Sequence, residues 1–95
     1  MTPSEQLDAG FGPLLPVEPR YPAAAANAGK GGRAQLEIQV DGTGQVRAVR
    51  IVEETGHWGF GSAAREAYLG ARFSPPRLKG RPVRVLLRKT IVFSP

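Results

Sequence analysis

Residues 34–40, AQLEIQV, alternate without a break, with Ala34, Leu36, Ile38 and Val40 on one phase and Gln35, Glu37 and Gln39 on the other. A period of two belongs to an extended chain, so this segment reads as a strand with one buried face. DGTG at 41–44 follows as a hairpin loop, its glycines supplying positive φ. QVRAVRIVE at 45–53 is the returning strand, but its phase is mixed: Val49 and Ile51 share one face, Val46, Ala48 and Val52 the other. A bulge, or cover on both faces, would account for this. The last run of strand formers is VRVLLRKTIVF at 83–93. Val83, Val85, Leu87, Ile91 and Phe93 share one phase, interrupted by Lys89; Arg84, Leu86, Arg88, Thr90 and Val92 take the other.

Elsewhere the spacing changes to that of helices. In SAAREAYLGARF, 62–73, Ala63, Ala64, Ala67, Tyr68 and Ala71 fall on one face by the i, i+3, i+4 rule. Ser62 is placed to cap this helix and Pro75-Pro76 prevent its continuation. Its small alanines let it lie close to a sheet, with Phe60 and Phe73 as flanking core anchors. A shorter helix of about two turns is expected after Tyr21-Pro22. Proline suits its first turn, Ala23 to Ala26 favour it, and Gly29 suits the stop, with Tyr21 as anchor. ETGHWGFG (54–61) and LKGRP (78–82) read as loop and turn. Residues 1–20 carry Pro3, Gly10, Gly12, Pro13, Pro16 and Pro19, and read as a tail or linker from which Leu14, Leu15 and Val17 can dock. The expected organisation is thus a linker at 1–20 and one domain at 21–95. Its order α-β-β-α-β gives an α+β fold, a three-stranded antiparallel sheet with two helices on one face.

Composition sharpens this picture. A chain of 95 residues makes one small domain. It has no cysteine, which excludes disulfides, thiolate chemistry and cysteine metal sites. The net charge is +5, and it is uneven: from Arg65 to Lys89 eight basic residues face Glu66 as the single acid. Such a field favours an anionic partner, whether nucleic acid, lipid, cell-wall polymer or acidic peptide. No apolar run approaches a membrane span, and the first residues lack the features of a signal peptide.

The inventory also argues against an enzyme. His57, beside Trp58, is the single imidazole and has no second histidine for a zinc site. Glu53 and Glu54 are adjacent, so in an extended chain they point to opposite faces and form no acid–base pair. KGGR at 30–33 precedes a strand and lacks the Lys-Ser/Thr ending of a phosphate loop. No catalytic residue, cofactor site or metal ligand is expected. A nucleic-acid module is disfavoured too, because the exposed sheet face offers Gln35, Glu37, Gln39, Arg84 and Arg88 without aromatic platforms.

Several of these pieces, taken in order, resemble one family. They are Tyr21-Pro22 before an alanine helix, a gap to a hydrophobic strand, then VDGTGQVRAVRIV, Thr55-Gly56, FGSAAREA (60–67), RFSPP (72–76), GRPV (80–83) and a closing strand ending in Phe93. The match spans Tyr21 to Phe93 and is similar to the periplasmic C-terminal domain of TonB energy transducers. Three positions depart from the family pattern. Glu54-Thr55-Gly56 stands where Ser-Ser-Gly or Ser-Gly is usual, Gly61 where a polar cap of the second helix is usual, and Glu18-Pro19-Arg20-Tyr21-Pro22 where a Gln-Pro-x-Tyr-Pro-like element is found.

The resemblance implies a function and partners. The protein would be anchored in the inner membrane by a segment absent here and coupled through it to an ExbB/ExbD-like motor. Its terminal domain, in the periplasm, would grip the TonB box of outer-membrane receptors for siderophores or cobalamin and transmit force. It would place strand 34–40 at the centre of the sheet, between 45–53 and 83–93. The last strand would then be an edge, where an extended peptide adds through main-chain hydrogen bonds. The candidate partner-binding residues are Val83, Arg84, Val85, Leu86, Leu87, Arg88, Lys89, Thr90 and Ile91, with Arg20 and Tyr21 beside them. Arg84, Arg88 and Lys89 would discourage indiscriminate self-pairing and attract an acidic peptide residue, although two copies could still pair edge to edge as a homodimer. Two other readings stand beside this one. One is an envelope adaptor of the same fold that binds peptidoglycan or serves another trans-envelope machine; the other is the nucleic-acid module.

Overall fold

A computed structural model describes all residues 1–95. In chain order its elements are β1 (Thr2–Pro3), α1 (Ala23–Asn27), β2 (Gly32–Val40), β3 (Val46–Thr55), α2 (Gly59–Leu69), β4 (Arg77–Leu78), β5 (Arg81–Pro82) and β6 (Val85–Phe93). The main sheet runs β1-β6-β2-β3, with β2 antiparallel to both long neighbours and β1 parallel to β6. The expected α+β core is present, with β2 at its centre. The sheet differs from expectation in having a fourth, two-residue strand, so it is mixed rather than purely antiparallel.

The alternation of β2 does what its period requires: Ala34, Leu36, Ile38 and Val40 are all essentially inaccessible. In β3 the register slips twice against β2, between Gln35 and Leu36 and between Gln39 and Val40. Each slip leaves one extra β3 residue, Val52 and Arg47 respectively, and resets the phase. That is why Val46, Val49 and Ile51 all reach the buried side although the sequence assigns Val46 to the opposite face.

Helix α2 packs on β2 and β3. It buries Phe60, Gly61, Ala64 and Tyr68, and starts three residues before the expected 62. Ser62 is therefore inside the helix and caps nothing. The free N–H groups of the first turn are met from outside it: Gly59 N–H donates to His57 Nδ1 at 3.0 Å, and Gly61 N–H donates to Glu54 Oε2 at 3.0 Å. The helix also ends early, at Leu69, because Arg72 and Phe73 are drawn into isolated bridges with Gln45 and Pro13.

The centre of the core is aromatic. Phe60 of α2 stacks on Phe93 of β6 at 4.4 Å between ring centroids, and Tyr21 stands edge-on to both at 5.7 Å. Offset and edge-on pairs of this kind add roughly 0.5–1.5 kcal/mol each beyond their area burial. Tyr21 also donates its hydroxyl to the Lys30 carbonyl, which closes the loop around α1.

Residues 1–20 lie along the domain. Leu7, Phe11 and Val17 pack against the core, whereas Leu14 and Leu15 stay exposed. Phe11 stacks on Phe73 at 5.3 Å, Gly12 N–H donates to Ser74 Oγ at 3.1 Å, and Leu14 N–H donates to Arg72 O at 2.8 Å.

Candidate partner-docking edge

A strand of a sheet directs the N–H and C=O of alternate residues to opposite sides, so one anchor point fixes the rest. On β6 that anchor is the carbonyl of Arg84, which accepts from Thr2 N–H at 2.9 Å on the side away from β2. The pairing of β6 with β2 continues without a slip from Val85 to Phe93. The backbone groups of Leu86, Arg88, Thr90 and Val92 therefore point outward, while those of Val85, Leu87, Lys89, Ile91 and Phe93 serve β2. The expected contiguous run divides into two alternating sets, and only one points away from β2. Val83 and Arg84 precede the strand, and Val83 N–H is already committed to Pro76 O at 3.0 Å.

Side chains divide the same way. Val85 and Phe93 are buried, Phe93 against Phe60 of α2, with Leu87 and Ile91 packed against the core. Lys89, on this phase, lies with Leu87 at a shallow pocket shared with Phe11, Gly12, Pro13, Tyr68 and Phe73. On the open face Arg88 approaches Glu37 at 3.5 Å, and Glu37 also pairs with Arg50 at 3.1 Å. These pairs are exposed on the arginine side and contribute at most about 1 kcal/mol each. Arg84 and Lys89 make no ion pair.

Arg20 is exposed and makes no hydrogen bond or ion pair. Tyr21 is near β6, but through the aromatic core at Phe93, and its hydroxyl is used by Lys30. The two residues flank the far end of the strand rather than its outward groups.

The opposite edge of the sheet is occupied along its first half. The start of β3 is bridged at Gln45 by Arg72, and Phe73 N–H donates to Gly44 O at 2.9 Å. Farther along, Arg65 of α2 donates from Nε to the Val49 carbonyl at 2.9 Å. Two bulges add to this, and bulged edges pair poorly. Of the two long edges, β6 alone keeps a regular unpaired stretch, from Arg88 to Val92.

Three contributors were not legible in the sequence: Thr2 and Pro3, which take the first positions of the β6 edge, and Asp8. The Asp8 carboxylate accepts from Lys79 and Gly80 N–H at 2.9 Å each, across the turn that joins β4 to β5. These two backbone bonds, Gly80 first, hold the Asp8 carboxyl below the usual carboxylate range, with Arg77 adding to the effect. A two-residue strand has no periodicity, and a clamp spanning some seventy positions leaves no local signal.

A family model described as the Gram-negative bacterial TonB protein C-terminal matches residues 17–95. Comparison with curated proteins gives no match. Among solved structures, the solution NMR structure of the Pseudomonas aeruginosa TonB CTD is similar, with a TM-score of 0.77 and 25% identity over 93% of this chain and 89% of that chain. With the model covering well over half of its residues and the architecture matched almost from end to end, this chain belongs to the family of TonB C-terminal domains of Gram-negative bacteria.

Proposed function

We propose that this energy-transducing domain grips outer-membrane receptors by adding an extended receptor segment, the TonB box, as a strand on the outer side of β6. The observation that carries this reading is the contrast between the two sheet edges. β3 is plugged by Arg65 and by the chain at Arg72–Phe73, whereas β6 leaves the outward groups of Arg88, Thr90 and Val92 unpaired. A net contribution of about 0.5–1.5 kcal/mol per backbone bond makes such a grip weak at rest. A handful of bonds corresponds to dissociation constants from millimolar down to some tens of micromolar. Weak, reversible capture suits a domain that must engage and release. Parallel bonds loaded in shear still share a pull along the strand. The force itself would come from an ExbB/ExbD-like motor through a preceding anchor, with the domain working in the periplasm on uptake of siderophores or cobalamin.

The test is a titration of the isotopically labelled chain with a synthetic TonB-box peptide, followed by amide NMR. The expected shifts alternate along β6, larger at Arg88, Thr90 and Val92 than at Leu87, Lys89 and Ile91. A flat titration at millimolar peptide, with the fold intact, would overturn receptor docking and favour a wall-binding adaptor.

A further inference from the structure

The proposed docking edge already has an occupant. β1 pairs in parallel with the start of β6, Thr2 opposite Val85 and Pro3 opposite Leu86. Beyond it the pairing stops at a short 3-10 turn, Ser4–Gln6, whose Ser4 and Glu5 lie beside Leu86 and Arg88. Proline is found at edges, where its missing N–H faces solvent, so Pro3 also keeps a further strand from stacking outside β1. This tip is small. Two paired residues, with Thr2 N–H donating to Arg84 O, must offset the backbone entropy lost on ordering the segment.

What keeps the tip in place lies behind it. Asp8 N–H donates to Arg77 O at 2.8 Å while its carboxylate takes the Lys79 and Gly80 amides. Phe11 and Ser74 then fasten the following residues to the domain. A firm anchor a few residues from a weakly held segment keeps that segment at high effective concentration on its site. It can open without leaving.

We propose that residues 1–6 are an in-cis gate on the β6 edge, covering its Arg84–Leu86 end until a docking peptide displaces them. The inference rests on strand addition at β6 and concerns how much of that edge is available. With the tip closed, a peptide finds only the outward groups of Arg88, Thr90 and Val92. With it open, those of Arg84 and Leu86 join them, and the added strand lengthens. Apparent affinity is reduced by the fraction of molecules in which the tip is open, so removing the tip strengthens binding about 2- to 10-fold.

The experiment uses the TonB-box peptide on four forms of the full chain. In the first, Pro3→Cys and Leu86→Cys together place a cysteine pair at facing positions in a protein that has no other. Oxidised, this form should bind more weakly, with shifts confined to Arg88–Val92. Reduced, it should recover the affinity of the parent and shift the amide at position 86 as well. The second and third forms are deletion of residues 1–6, which spares Asp8, and Thr2→Pro, which removes the donor to Arg84. Both should bind more tightly than the parent, the fourth form. Equal affinity and equal shift patterns in oxidised and reduced protein would overturn the gate and leave docking intact. Absence of binding in every form would overturn the docking reading and the gate with it.

Discussion

Asp8 holds two backbone amides and carries one charge, and its exposure makes it readable by pH. Its carboxyl titrates below the usual range because the charged form accepts from Gly80 and Lys79. A group with a depressed folded-state pKa contributes stability above its unfolded pKa and loses it as pH falls through the folded one. The Lys79 and Gly80 amide resonances should therefore hold their positions from neutral pH down through the ordinary aspartate range and move only below it. Asp8→Asn should abolish that inflection and raise the exchange rates of both amides at neutral pH. A different constraint acts at Gly44, where φ is +92° and a Cβ would sit 2.0 Å from the Phe73 carbonyl oxygen. Gly44→Ala should cost about 1–3 kcal/mol in urea denaturation, because both the backbone conformation and the Phe73 bridge resist a side chain.

At the scale of elements, what was legible followed from where the determining contacts lie. β2 touches a strand on each side and a helix on one face, so its alternation states its whole environment. β3 could be placed but not phased, because a bulge is set by the partner strand. The start of α2 was misread for a similar reason: the groups meeting its first turn are His57, before the helix, and Glu54, at the end of β3. Two of the three departures of this chain from the family pattern, at Glu54 and Gly61, belong together here. A Cβ on Gly61 would lie 2.0 Å from Glu54 Oε2, so glycine at 61 lets a carboxylate from 54 reach the amide that a polar residue would otherwise serve. Glu54→Ala should lower stability by about 1 kcal/mol, and Glu54→Gln by less, since the amide oxygen still accepts but no longer meets the helix dipole with a full charge. For a domain of this size that is a fall of about 4–8 °C in melting temperature for the alanine variant.

For the whole molecule the question is which edge of the sheet meets another chain, and the parity of β6 gives a way to ask it without disturbing the fold. The parity has two independent supports. Thr2 bonds outward to Arg84, and on the other side of the sheet Arg65 bonds outward to Val49, which the register of β2 requires if Val40 and Val85 are a hydrogen-bonded pair. The family resemblance marked 83–93 as an edge strand, but not which half of its amides is free, since that depends on the register with β2 and on Thr2, about eighty residues earlier. Thr90 presents its N–H outward and its side chain to solvent on the open face. Proline there removes no bond to β2, and edge strands accept proline on their solvent side. Thr90→Pro should therefore keep the chain folded, with thermal unfolding within about 1 kcal/mol of the parent, while strand addition loses a donor at the middle of the open stretch and meets a pyrrolidine ring. Ile91→Pro, one residue on, removes a bond to the central strand and should cost about 3 kcal/mol or more. If peptide binding disappears in Thr90→Pro while the melting curve stays in place, the grip is through the β6 backbone. If binding survives, the partner is held by side chains on a face of the sheet, and the open edge is not the docking site.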